Sequence, residues 1–263
     1  MKHQKDLIEN KNKEINDSVN YAQRSQQSNL TSDAYFETHT RDFFILFNPR
    51  DFASGDFYWA LENEKRLMVM TADCTCHGVL GALVSMMGIN FLNKIVIEHQ
   101  IIDPASVLNQ LRNDIITALN PLGSLVETKD GMDCSFFSLD FDKMTLRYAN
   151  ANNRFYIIRN HKVSMSELNK MPVGAGHISN NPFTTFQFDL LPNDLIITFT
   201  DGYADQFGGA NGKKFKYKKL EELLLLHSKL PLRELKAKLK TTIDRRRQGL
   251  EQVDDIRIVG IKI

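Results

Sequence analysis

A chain of 263 residues, 42% hydrophobic and 25% charged, has ordinary globular composition and length for one large domain or two small ones. Its formal net charge of +1 provides no global field to recruit nucleic acid or an anionic membrane surface, so neither is expected as a partner. The cysteines, Cys74, Cys76 and Cys134, lack framework spacing, which argues against a disulfide-built secreted scaffold and fits a reducing compartment. No second Cys/His pair stands at zinc-finger distance from Cys74-Thr75-Cys76.

Residues 1–30 are polar and rich in Lys, Glu, Asn and Gln. Met1-Lys2-His3-Gln4-Lys5 leads into no apolar export core, and no stretch approaches the ~18 apolar residues of a membrane span. A cytoplasmic location is therefore expected. Ile8, Ile15, Val19 and Ala22 form a thin apolar stripe at helical spacing. The stripe predicts an exposed helix, serving as a linker or a homodimer seam, and is too short for a coiled coil. The folded domain is expected over 31–263.

From Phe43 the texture changes. Phe43–Phe47 reads as a buried strand ended by Asn48-Pro49. Phe57–Leu61 and Leu67–Ala72, joined by polar Glu62-Asn63-Glu64-Lys65, resemble a hairpin. His77-Gly78 opens a long helix with apolar residues on most sides, expected between layers. A second helix is predicted from Pro104 to Leu119, with Pro104 at its first position and Asp103 as N-cap. Short strands follow at Cys134–Leu139, Thr145–Asn150, Phe155–Arg159, Val163–Leu168, Phe183–Phe188 and Leu195–Thr200. Leu220–Leu226 and Leu232–Arg246 read as helices, and Ile256–Ile263 as a closing strand. The expected class is one α+β domain with mostly antiparallel strands.

Acidic residues recur where apolar strands meet turns: Ser54-Gly55-Asp56, Thr71-Ala72-Asp73, Thr200-Asp201-Gly202 and Val253-Asp254-Asp255. A buried carboxylate costs free energy unless a cation or donors compensate it. Several at strand mouths point to a hard-cation site, because Mg²⁺, Mn²⁺ and Ca²⁺ prefer oxygen ligands. Their spacing is too wide for a local loop, so the fold must assemble the site.

Ser54-Gly55-Asp56-Phe57-Tyr58-Trp59, Asp73-Cys74-Thr75-Cys76-His77-Gly78, Asp130-Gly131-Met132-Asp133, Asp201 to Gly209 and Gln252-Val253-Asp254-Asp255 together resemble the SpoIIE-type serine/threonine phosphatases. These are a bacterial branch of the metal-dependent protein phosphatase 2C-like (PPM) family. The resemblance runs in order from about Ala22 to Ile263. It implies a four-layer αββα sandwich, two antiparallel sheets face to face with helices outside. It also implies two Mn²⁺ or Mg²⁺ ions held by Asp56, Asp73, Asp201, Asp254 and the backbone carbonyl of Cys74. Paired metals ~3.5–4 Å apart acidify a bridging water and align the phosphoryl oxygens. Gly55 and Gly202 allow close backbone approach beside these ligands.

The implied substrate is phosphoserine or phosphothreonine on a regulatory protein, such as an anti-sigma-factor antagonist in a partner-switching pathway. Around the ligands, Asp255 is expected to be solvated or to support the site, and Asp205 to hold a turn or join a third metal position. Asp130 and Asp133 are expected to hold a loop. His77 is expected to pack at a helix start, with general-acid catalysis as the sharper reading. The lysines at 213, 214, 216, 218 and 219 read as a solvated loop, or a dock for an acidic surface. The family usually has glycine at the positions of Cys76 and Asn150. If these need φ > 0, Cys76 would displace the Asp73 loop, which motivates the alternative of a catalytically weak phosphoprotein binder. Hydrolysis of small phosphate esters is a third reading.

Overall fold

The computed structural model describes residues 2–119, 130–175 and 181–263. Its elements run α1 (Lys2–Asn29), α2 (Asp33–His39), β1 (Asp42–Asn48), β2 (Phe57–Asn63), β3 (Arg66–Cys74) and α3 (Gly78–Asn93), which continues into a π-helical turn at Lys94–Glu98. Then come α4 (Pro104–Leu119), β4 (Gly131–Asp140), β5 (Thr145–Ala151), β6 (Phe155–Arg159), β7 (Lys162–Met165), β8 (Val173–Gly174), β9 (Phe186–Asp189) and β10 (Leu195–Phe199). The chain closes with α5 (Gly202–Asp205), β11 (Phe207–Gly208), β12 (Lys213–Lys214), α6 (Tyr217–His227), α7 (Leu232–Arg247) and β13 (Ile256–Lys262).

Local chemistry explains several of these elements. β2 and β3 join through Glu64 and Lys65, both at positive φ (51° and 60°), the backbone of a tight hairpin turn that matches strand twist. β3 is almost wholly buried, so it reads as a continuous apolar run rather than an alternating one. Pro104 opens α4, and the Asp103 carboxylate accepts from the Ser106 amide at 3.1 Å, which caps the free N–H groups.

Eleven strands form two large antiparallel sheets, ordered β1-β13-β10-β6-β7 and β2-β3-β4-β5-β9 with β8 paired to β4, while β11 and β12 pair only with each other. Their facing surfaces pack Val69, Phe137, Phe155, Ile157, Ile196 and Val259 into a central core. On the outer face of the β3 sheet, Met68, Met70 and Phe136 pack under α3 and α4 through Ile89, Leu92, Leu108 and Leu111. On the outer face of the other sheet, Ile197 and Ile258 pack under α6 and α7 through Leu220, Leu224, Leu235 and Leu239. The result is the four-layer αββα sandwich expected above.

Three expectations differ from the structure. The segment Gly78–Glu98 is, by length and composition, apolar enough to cross a membrane, contrary to the expectation that no stretch comes close; half of it is buried in the fold. Nor does α3 lie between layers. It is an outer helix whose first turns leave Leu80 67% and Leu83 51% exposed, because its other face already covers the β3 sheet. The strands predicted to 168 and from 183 are shorter, ending at Met165 and starting at Phe186, since Ser166 and Phe183 bind other segments instead.

Candidate metal centre

The carboxylates predicted as ligands arrive on different elements. Asp56 sits on the loop entering β2, Asp73 near the end of β3, Asp201 after β10 and Asp254 ahead of β13. β2 and β3 are neighbours in one sheet, β10 and β13 in the other, so all four stand at one end of the sandwich. Asp73, Cys74, Asp133, Asp201, Asp254 and Asp255 line one cavity of about 240 Å³ there. Asp56 lies just behind them, 2% exposed, its carboxylate accepting from the Thr200 hydroxyl at 2.6 Å.

Electrostatics tie these groups together. Burial, with the charges of Asp56, Asp201, Asp254 and Asp133, raises the Asp73 carboxyl to about 10. Asp56 is raised to about 7, mainly by burial, against the pull of Arg257 and Thr200. Asp201 is raised to about 6 by burial and by Asp254 and Asp205, while Lys214 and a hydrogen bond from Asp73 oppose the shift. Each shift has the same cause: negative charge gathered out of water without enough positive charge beside it. Among the described residues, no three His, Cys, Asp or Glu side chains already stand in a closed ligand cage. The arrangement is a mutually repelling oxygen cluster, and a hard divalent cation is the group that relieves it. The donor set therefore fits Mg²⁺ or Mn²⁺.

Close packing of backbone holds the loops in place. A Cβ on Gly55 would stand 2.1 Å from the Cys76 carbonyl oxygen, and one on Gly81 2.0 Å from the same atom, so this carbonyl is wedged between two glycines. A Cβ on Gly202 would meet the Asp255 carbonyl at 2.0 Å. The Asp255 side chain is not solvated: it is 3% exposed and accepts from the Arg50 and Gly55 amides at 2.7 and 2.9 Å. It thereby clamps the Asp56 loop to the start of β13.

Other predicted residues take distinct places. Asp133 pairs with Asp73 across β3 and β4 and accepts from Asn152 at 2.9 Å. Asp130 accepts weakly from the Thr75 hydroxyl at 3.4 Å. Asp205 forms an ion pair with Lys214 at 2.7 Å. His77 lines the cavity but does not pack: its ring is 61% exposed and contacts Asp51 at 3.1 Å. Asp51 and Arg257 carry no motif of their own in the sequence, and Thr200 is legible there only as the neighbour of Asp201; Arg257 in particular sits in an alternating strand pattern where a buried cation is unexpected.

The family model described as Stage II sporulation protein E (SpoIIE) matches residues 63–263. The chain belongs to the SpoIIE family. The matched stretch includes Asp73, Asp201 and Asp254; Asp56 precedes it. Among solved structures, the SiaA-PP2C domain of Pseudomonas aeruginosa is similar, at 26% identity and TM-score 0.85, over 96% of this chain and 98% of that one. The PP2C phosphatase domain of SpoIIE from Bacillus subtilis, solved with a fragment of its regulatory domain, matches at 18% identity and TM-score 0.67, over 84% and 62%. The PPM Ser-Thr phosphatase MsPP from Mycobacterium smegmatis, in complex with cacodylate, shares the fold at 14% identity and TM-score 0.57, over 85% and 99%. No curated protein matches the sequence. By family this is a SpoIIE domain, and by fold it is similar to PP2C-type phosphatase domains.

Against that SpoIIE background the departures at Cys76 and Asn150 are conformationally mild. Neither residue is among those with positive φ, so neither carries the strain that glycine would relieve. Asn150 is fully buried and donates to the Ser166 hydroxyl and the Glu167 carbonyl at 2.8 and 2.7 Å. Cys76 keeps its backbone carbonyl between Gly55 and Gly81, and its thiol donates weakly to the Asp130 carboxylate at 3.7 Å.

Proposed function

We propose that this chain is a Mn²⁺- or Mg²⁺-dependent protein phosphatase that hydrolyses phosphoserine or phosphothreonine on a regulatory protein. The observation that carries it is the convergence of Asp56, Asp73, Asp201 and Asp254 at one sandwich end, with three of their carboxyls pushed upward by burial and mutual repulsion. These residues, with the Cys74 carbonyl, would hold two ions. When bound, such ions make water acidic enough to attack phosphorus and neutralise the phosphoryl oxygens. The chain's own contribution is orientation. Thr200 and Arg257 hold Asp56, and Asp255 holds the Gly55 amide, so the ligand oxygens are set before substrate arrives.

No side chain at the cavity is needed as a nucleophile; the Cys74 thiol is buried, and burial pushes its pKa well up. The proposal includes a cytoplasmic setting, consistent with free Cys74, Cys76 and Cys134. A small signalling protein of the anti-sigma-factor-antagonist kind is the proposed substrate, and a second copy joined through α1 the proposed regulatory partner. Phosphate release from a phosphoserine protein with Mn²⁺ tests the activity. Asp73→Asn and Asp201→Asn are each expected to lower the rate by at least about 100-fold. Activity surviving the double substitution, or no release at any Mn²⁺ level, would sink the reading.

A further inference from the structure

A second hollow, of about 290 Å³, is lined by Tyr156, Met165, Leu168, Phe199 and Tyr217 together with the polar run Asn152-Asn153-Arg154. It adjoins the acidic cavity through a hydrogen bond and a short stretch of chain that join the two linings. Asn152 lines the hollow while its amide donates to Asp133, which lines the cavity, at 2.9 Å. Phe199 precedes Asp201 by two residues, and its carbonyl is held by the Asn153 amide at 2.7 Å.

The walls are mainly apolar and the floor is closely packed. Tyr156 and Phe199 are 3% and 2% exposed and pack edge to face, with ring centroids 4.7 Å apart. Tyr217 closes one side at 6.0 Å from Phe199. Met165 and Tyr217 remain 52% and 44% exposed, although they face a hollow in which an apolar group would cover them. Exposed apolar side chains scattered singly need no explanation, but grouped around a concavity they mark a binding surface. Methionine adapts to differently shaped apolar partners. The Asn152 and Asn153 amides are already engaged, so they add little polar selectivity. The volume lies just under the ~300 Å³ at which pockets for whole small ligands begin, which suits one side chain better than a metabolite.

We propose that this hollow is a specificity subsite that takes an apolar side chain of the phosphoprotein substrate, close in sequence to the phosphorylated residue. The inference rests on the phosphatase reading above for its substrate class. It is tested with fluorescein-labelled phosphoserine peptides in which leucine replaces alanine in turn at each of the flanking positions, and with p-nitrophenyl phosphate, which has no flanking residue. With Mn²⁺, leucine at one position is expected to raise kcat/KM by about tenfold over alanine. Met165→Asp and, separately, Leu168→Asp are expected to abolish that gain and to leave p-nitrophenyl phosphate turnover within about twofold of wild type. A flat leucine scan, or a leucine gain that survives both substitutions in variants with unchanged thermal melts, overturns the subsite. Failure of wild type to hydrolyse p-nitrophenyl phosphate and every peptide overturns the phosphatase reading instead. Fluorescence anisotropy of the same peptides then decides the subsite alone: leucine-dependent tightening lost in Met165→Asp upholds it, and equal binding of leucine and alanine peptides overturns it.

Discussion

Arg257 shows how one buried residue conditions the candidate metal centre. Its side chain is fully buried between the sheets, donates to the Ala72 carbonyl at 2.9 Å, and lies 4.0 Å from Asp56. The guanidinium stacks over Phe47 and Tyr58 at 4.9 and 5.7 Å, so ring faces partly replace water around it. Among the described residues its Nε and Nη2 have no hydrogen-bond partner, and the Asp56 carboxylate 4.0 Å from Nη2 compensates only in part for their burial. The compensation is the acidic cluster itself: Arg257 opposes the upward shift of Asp56. Replacing Arg257 by methionine leaves Asp56 without this counter-charge and raises its folded pKa further. A raised folded pKa means stability is kept at low pH and lost as pH rises. Arg257→Met is therefore expected to cost about 3 kcal/mol at pH 8 and less at pH 6, where Asp56 takes up a proton. Urea unfolding of metal-free protein at the two pH values measures this; equal losses would refute it. Sequence reading could not find Arg257, because its position in Ile256–Ile263 matches an ordinary polar slot of a half-exposed strand, and only the second sheet packed on it reveals its burial.

At the scale of elements, α1 is held at one end and free at the other. Gln26 is 2% exposed, and its amide pairs with both the Ser54 carbonyl and the Ser54 amide, at 2.5 and 3.0 Å, next to the Asp56 loop. It also donates to the Ser85 hydroxyl on α3 at 2.7 Å. Residues 3–18 stay exposed, with Ile8 and Ile15 each at 59%. An isolated polar helix of this kind gains little from its own hydrogen bonds, so a partner for the Ile8–Ile15 stripe is the expected source of its order. If that partner is a second copy, the intact chain sediments as a dimer. Ile8→Glu combined with Ile15→Glu then weakens the association by roughly 100-fold or more, from about 1.5 kcal/mol or more lost per buried isoleucine. A wild-type chain that sediments as a monomer at all concentrations removes the dimer proposal. The longer elements were legible because their apolar runs and caps are local signals: Pro104–Leu119 and Phe155–Arg159 coincide with their predicted spans. The helix Asp33–His39, the four-residue α5 and the two-residue strands β8, β11 and β12 were missed, since so few residues carry no readable period.

Over the whole molecule, the sandwich accepts a local electrostatic cost at one end and stabilises it elsewhere with three apolar cores. Unfolded aspartates titrate near ~3.8–3.9. Folded Asp56 and Asp73 titrate at about 7 and about 10, so the metal-free fold loses stability as pH rises from about 4 through those values. Divalent cations bind the deprotonated carboxylates and reverse that loss. The rise in melting temperature on adding excess Mn²⁺ is therefore expected to be larger at pH 8 than at pH 6, with at least about 2.7 kcal/mol of stabilisation at 100 times the dissociation constant. Calorimetry with and without Mn²⁺ checks it, and a shift that shrinks as pH rises contradicts the assignment of these carboxylates to a cation.

The sequence by itself determined the strand-and-helix order, the α+β class and the acidic strand ends, because period, turn residues and charge are written locally. It also carried the ordered blocks from Asp56 to Asp255 that resemble the SpoIIE phosphatases. Only the tertiary structure decided which face of α3 meets solvent, that Asp255 clamps Gly55 rather than facing water, and that Cys76 lies on ordinary backbone with its carbonyl lodged between Gly55 and Gly81. It alone placed Arg257 behind Asp56 and set the aromatic hollow beside the carboxylates. Burial and proximity depend on partners up to about 200 positions away, such as Gly55 and Asp255, and no local pattern encodes them.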